Sequence, residues 1–283
     1  MAAPEKVYKM ETTAFVEDLS VKRVAVIDVM NFLHHSAERT KKGKKKETEK
    51  EVDYLDAADL ASLLYFLIQR EFDVRAIVSK SGRNRAKYGK LLDVMAKFGL
   101  VLYTEHCYDD LLTIRYAADN GGFIISNDKY RDCLSKIIVK DAERYVIYNR
   151  VIRPVVNPFE LKEGEVYKLT ADGDRAYNFT TFLFSSCHNV LYADPSSWDY
   201  DLCMHVRRTF TLERQQQLKE FLVRIFDLLK TLAEMPEEKR EDELVRFCKQ
   251  WTDNVQPNVD VSFEDEKSGD GTFQRRTFCR WCF

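Results

Sequence analysis

Between Lys22 and Tyr148, short apolar runs alternate with stretches of helical periodicity, and no other feature constrains the fold as strongly. The run KRVAVID at 22–28 is short, β-branched and bounded by charge, as a buried strand is. Similar runs at 74–78, 100–103, 123–126 and 145–148 predict four more strands. Helical spacing fills the gaps. One helix opens near Asn31, and another over 53–69 places Leu60, Leu63, Leu64, Leu67 and Ile68 on one face. A basic amphipathic helix is predicted over 83–98, with Leu91, Leu92, Met95 and Phe98 inward and Gly99 as its C-cap. Two more cover 109–118, ended by Asn120-Gly121-Gly122, and 130–138. Strand and helix in strict alternation give an α/β fold, a parallel sheet flanked by helices on both faces.

Past Asn149 the pattern changes. Residues 151–156 and 165–169 read as short strands, 211–233 as an amphipathic helix and 237–251 as another, opened by Pro236. The expected organisation is a flexible polar arm over 1–20, an α/β domain over 21–160, and a mostly helical extension over 161–283. A basic loop is inserted in the domain at 39–52; its core, RTKKGKKKETEK, has seven Lys or Arg, two Glu and no apolar periodicity. The helix from Thr211 carries Leu218, Phe221, Leu222, Ile225, Phe226, Leu228 and Leu229, more apolar surface than a solvated helix needs. It is expected to pack on the α/β domain or to form an interface with a second copy or another protein.

Composition mainly excludes. A net charge of -2 gives no global attraction to nucleic acid, so any such affinity must be local. No apolar run approaches the roughly 20 residues of a membrane span, and the first residues lack a signal-peptide core. Seven scattered cysteines suit a reducing compartment, so a cytoplasmic location is expected, with the nucleus as the alternative.

Function is written in the acids. Asp28 in VAVIDVMN, Asp109 and Asp110 in CYDDLL, and Asp128 and Asp132 in FIISNDKYRD each follow, or closely follow, a predicted strand. In an open parallel sheet, ligands bind beyond the carboxyl ends of the strands. Asp and Asn are also favoured helix N-caps, and any one of these could be only that. The pair at 109–110, the i,i+4 spacing of Asp128 and Asp132, and the convergence of three segments argue for more. Crowded carboxylates stay ionised only around a cation, and hard oxygen ligands suit Mg²⁺, with Mn²⁺ as the alternative. The expected metal set is Asp28, Asp110, Asp128 and Asp132. Asp28 and Asp128 are the first choices as direct ligands. Asp109, Asp110 and Asp132 would bind through water or position the attacking water, and Asn31 would donate to Asp28 or to a scissile phosphate. Together they describe a metal-dependent phosphodiester hydrolase.

These motifs, hhhID-x-x-N, then CYDD, then hhSNDxYRD, with ERYVIYNRVIRPVVNPFE after them, resemble the NYN ribonuclease domain of the Zc3h12a (Regnase, MCPIP) type over about residues 21–160. The resemblance implies a PIN-like Rossmannoid fold and a Mg²⁺-dependent endoribonuclease acting on messenger RNA, with essential groups at Asp28, Asn31, Asp109, Asp110, Asp128 and Asp132. It also implies RNA as partner and self-association into a homodimer, with assembly with other RNA-decay or silencing proteins as the alternative; with no apolar span, no membrane partner is expected. The chain departs from the family pattern in carrying Val29 and Met30 after Asp28, a short Thr104-Glu105-His106 link, and no CCCH finger after the domain. The alternative reading is therefore a catalytically weak RNA-binding or scaffold subunit, with a flap-type DNA nuclease as a more distant one.

Phosphate capture needs cations near the acids. Lys80, Arg83, Arg85, Lys87 and Lys90 follow the second strand on the acidic edge, and Lys44 and Lys45 lie in the inserted loop. Tyr88 and Tyr108 are candidate stacking platforms. Cys187-His188 with Cys203-x-His205 could supply zinc ligands, although the spacing matches no standard finger.

Overall fold

The computed structural model describes residues 19–42, 55–104, 109–136, 139–153 and 188–253. Its centre is a five-stranded, fully parallel sheet. The strands are β2 (Ala25–Asp28), β4 (Val74–Ser79), β6 (Val101–Thr104), β7 (Phe123–Ile125) and β8 (Val151–Ile152), in the order β6-β4-β2-β7-β8. Connections after β2 lead to one side and those after β7 to the other. The topological switch point, where α/β sheets bind ligands, therefore lies between these two central strands.

Both faces of the sheet are buried, which is why its strands read as continuous apolar runs. Side chains alternate along β2: Ala25 and Ile27 enter one core and Val26 the other. The larger core holds α1 (Val29–Lys42), α2 (Ala57–Gln69) and α4 (Lys90–Lys97); the smaller holds α5 (Asp109–Asp119) and α7 (Asp141–Asn149). Asp56, rather than Asp53, opens α2, its Oδ1 accepting from Ala58 N at 2.9 Å; Gly99 ends the α4 region at φ +68° as predicted.

Two predicted elements are corrected. Residues 145–148 are not the fifth strand; they form the last turns of α7, and β8 supplies the fifth strand instead. Asp141 and Glu143 favour a helix start there, Lys140 N donating to Glu143 Oε2 at 3.1 Å. Val146 and Ile147 are buried while Tyr145 and Tyr148 are exposed, so YVIY is one turn of an amphipathic helix. The single helix predicted over 83–98 is broken into α3 (Lys80–Arg85), a two-residue strand β5 (Ala86–Lys87) and α4. β5 pairs with β3 (Leu55–Asp56), and Tyr88 at φ +58° turns the chain between the two helices. The predicted basic loop over 39–52 is corrected at its start, since residues 39–42 belong to α1; its remainder from 43 and the predicted strand at 165–169 lie outside the described residues.

The described part of the extension is built onto this domain. Strand β9 (Tyr192–Ala193), reached through α8 (His188–Leu191), pairs antiparallel with β1 (Val21–Lys22). From α9 (Tyr200–Arg207) and the turn before it come Cys203 and Asp199. Asp199 is buried between Arg23 Nη1 at 2.7 Å and Arg150 Nη1 at 2.6 Å. Burial opposes its charge, but hydrogen bonds from Arg150 and Arg23 outweigh it and hold the carboxyl below its usual range. The predicted long helix is α10 (Leu212–Glu234), N-capped by Thr211; it lies on α2, and α11 (Glu237–Asp253) closes over α4 and α10. Phe221 stacks on Phe98 at 3.8 Å, with Trp251 against both rings. Helix α2 is thus covered by the sheet on one side and α10 on the other, which explains an apolar surface wider than one face.

Candidate active site

Asp28 ends the central strand and is 3% exposed. One oxygen, Oδ1, caps α1 by accepting from Asn31 N at 3.2 Å. The other, Oδ2, accepts from Ser126 Oγ at 2.8 Å and Tyr130 Oη at 3.3 Å. The capping role of Asp28 is therefore real and uses only half of the carboxylate.

The segment after β7 is locked to that carboxylate. Ser126 Oγ accepts from Asp128 N at 3.0 Å, Asp128 Oδ1 accepts from Tyr130 N at 2.8 Å, and Asn31 Oδ1 accepts from Asn127 N at 2.7 Å. The last bond commits the carbonyl end of Asn31 and leaves its amide nitrogen as the donor end. Tyr130 is buried and held at φ +50°, a backbone conformation rare for a bulky residue and found where local structure enforces it. Asp132 follows in the first turn of α6 (Arg131–Lys136), and Asp109 and Asp110 form the first turn of α5.

Electrostatics joins the three segments. Burial, followed by repulsion from Asp110 and then Asp109, pushes the Asp28 carboxyl up to about 7, against the hydrogen bonds from Ser126 and Asn31. Burial and then Asp109, Asp128 and Asp132 push Asp110 up to about 6. The Cys133 thiol is raised to about 11 by burial and by Asp110, Asp128 and Asp132. Asp28 and Asp110 are thus raised by carboxylates from the other segments, which brings the predicted acids together at the carboxyl end of the sheet, at the switch point. Among the described residues, no group of three or more His, Cys, Asp or Glu is placed to ligate one ion together.

The two bulky residues after Asp28 turn away from this cluster. Val29 is fully buried in the larger core, and the Met30 side chain packs on Gly82, where a Cβ would come within 2.5 Å of its sulfur. Of the predicted phosphate-binding cations, Arg83 is engaged by Asp93 (3.1 and 2.5 Å) and Lys90 by Glu241. Lys80, Arg85 and Lys87 are exposed at the same edge; Arg85 Nη2 lies 3.4 Å from His34 Nε2, and Lys87 Nζ lies 4.8 Å from the Tyr88 ring. Lys44, Lys45, Tyr108 and Cys187 lie outside the described residues. Cys203 is buried against Arg23 and Gly121, and His188 stacks on Tyr192, so these two do not share a site. Sequence reasoning missed Ser126 and Tyr130 as partners of Asp28. Their only signal was the fixed spacing of hydroxyl groups within SNDKY.

The profile of the Zc3h12a-like Ribonuclease NYN domain family matches residues 21–163. No curated protein matches the chain.

Proposed function

The chain belongs to the Zc3h12a-like ribonuclease NYN domain family, a family of RNA-cleaving domains, and from that premise we propose that it is a Mg²⁺-dependent endoribonuclease. Its substrate is single-stranded or looped RNA, in messenger RNA decay or RNA silencing. The observation that carries this reading is the convergence of acids from three separate segments at the switch point, where Asp28 and Asp110 are both raised by burial and neighbouring carboxylates. The donor set fits a hard cation. It is all carboxylate, and Mg²⁺ commonly takes one or two protein carboxylates and keeps its waters, which needs no cage of three.

Asp28 and Asp128 would hold the ion. When bound, Mg²⁺ supplies charge stabilisation to the phosphate and acidifies a water. Ser126 and Tyr130 orient Oδ2 of Asp28, and the Asn31 amide nitrogen, left as that residue's donor end, would donate to a non-bridging phosphate oxygen. Asp110, raised toward neutrality, is suited to accept a proton from the attacking water, with Asp109 and Asp132 positioning it.

The test is incubation of the purified chain with end-labelled single-stranded RNA and Mg²⁺. Internal cleavage is expected, abolished by EDTA and reduced at least ~100-fold by Asp128→Asn. Cleavage that survives either treatment overturns the reading. One alternative is a catalytically weak RNA-binding or scaffold subunit, which the engagement of Arg83 by Asp93 and of Lys90 by Glu241 favours by occupying two of the expected phosphate-binding cations. RNA that is bound but left uncut would select it.

A further inference from the structure

We propose that Tyr145, Tyr148 and Trp198 form a stacking platform for the bases of single-stranded RNA, beside α7 and separate from the acids; the proposal rests on the ribonuclease reading. The three rings are 40%, 69% and 64% exposed, although Tyr and Trp bodies are mostly covered in folded proteins. Tyr145 and Tyr148 are spaced i,i+3 and share a face of α7. Trp198, in the turn before α9, meets Tyr145 edge to face at 6.1 Å and 87°.

Two of the rings share a buried cation. The Arg150 guanidinium lies 5.0 Å from the Tyr145 ring and 5.8 Å from the Trp198 ring. Arg150 is itself buried and fixed by Asp199, the neighbour of Trp198 in sequence. A platform ordered before its ligand arrives loses little entropy on binding.

The chemistry of the surface selects the ligand. Its large exposed groups are aromatic rings with polar atoms, with no exposed Leu, Ile or Val beside them in α7 or in the turn carrying Trp198. Any base can stack on such rings; Tyr and Trp serve protein interfaces as well, so it is the cations beside them that decide for RNA. Arg144, four residues before Tyr148 on the helix, and Arg153, just past β8, are both exposed and cationic, as a phosphate backbone requires. Because β7 and β8 are parallel, α7 must run from the acidic edge of the sheet toward the opposite one. Tyr145 and Tyr148 stand in its last turns, and Trp198 adjoins Asp199, which binds Arg23 and Arg150 ahead of β2 and β8, so the platform lies toward the edge away from the acids. An RNA that reaches both must run along the domain, several nucleotides at about 3.4 Å or more each. Trp198 comes from outside the family-matched segment, so the platform would give this chain a substrate contact of its own.

The test is fluorescence anisotropy with labelled single-stranded RNA of about 15 nucleotides, using the full chain carrying Asp128→Asn to prevent cleavage. Tyr148→Ala and Trp198→Ala are each expected to weaken binding about 5- to 150-fold, and Trp198→Phe to restore most of it. Tyr148 is exposed, so its variant tests the platform even if Trp198→Ala unfolds. Unchanged binding in Tyr148→Ala, or in a folded Trp198→Ala, overturns the proposal, as does a change in oligomeric state in place of a change in RNA affinity. If the unmutated chain neither binds nor cuts RNA, the ribonuclease reading fails and the platform with it. If it cuts RNA while Tyr148→Ala leaves binding untouched, only the platform fails.

Discussion

Asp28 holds a buried carboxyl in an acidic neighbourhood, and this has a measurable thermodynamic consequence. Its folded-state value is about 7, against an ordinary 3.8. Between these, the folded state keeps a proton that the unfolded chain has released, so stability falls as pH rises through the window, and the loss is complete above about 7. Asp110 adds a smaller loss of the same sign, ending near 6. Asp28→Asn should therefore stabilise the protein by about 2–4 kcal/mol at pH 8 without divalent cation, and by much less near pH 4. Denaturant titrations at the two pH values check this; an equal effect at both would mean that Asp28 does not titrate in the window. Asp28 and Asp128 were legible as acids at strand tips. Ser126 and Tyr130 were not, because a hydroxyl beside a strand end has no signature until the fold brings it to a carboxylate.

Among the elements, those with a long apolar rhythm were legible and those decided by a few residues were not. Helix α10 and strands β4 and β7 stand where the sequence placed them, within a residue or so, while the strand read over 22–28 divides into β2 and the separate β1. YVIY could be read as strand or helix by apolar content alone; the acids before it and the true strand after it settled the matter. Nothing local announced the clasp between elements. Arg23 leads into β2, Arg150 into β8, and Asp199, which binds both, comes from the extension. Gly121 contributes its carbonyl to Arg23 at 3.0 Å from a turn at φ +62°, where a Cβ would strike the Cys203 sulfur. Removing one partner of a buried ion group leaves uncompensated charge. Asp199→Ala should cost about 3–5 kcal/mol, read as a drop in denaturant midpoint. A change below about 0.5 kcal/mol would show that the two guanidinium groups find water instead.

Over the whole molecule, the ribonuclease domain and the described part of the extension share one core, one ion cluster and one strand pairing. The extension covers α2 and clasps the edge of the sheet opposite the acids, so it supports the site from behind. The α/β class was legible because alternation forces it; the role of the extension was not, because an amphipathic helix does not say which surface it covers. The central claim is that acids from three segments work as a single catalytic site. The measurement that tests it most directly is a double-mutant cycle on RNA cleavage with Asp28→Asn and Asp128→Asn. Residues acting as a unit give non-additive losses. Each single variant is predicted to lose at least ~100-fold, and the double variant about as much as the worse single one. Losses that multiply, or one variant cleaving at the unmutated rate, would contradict a shared site.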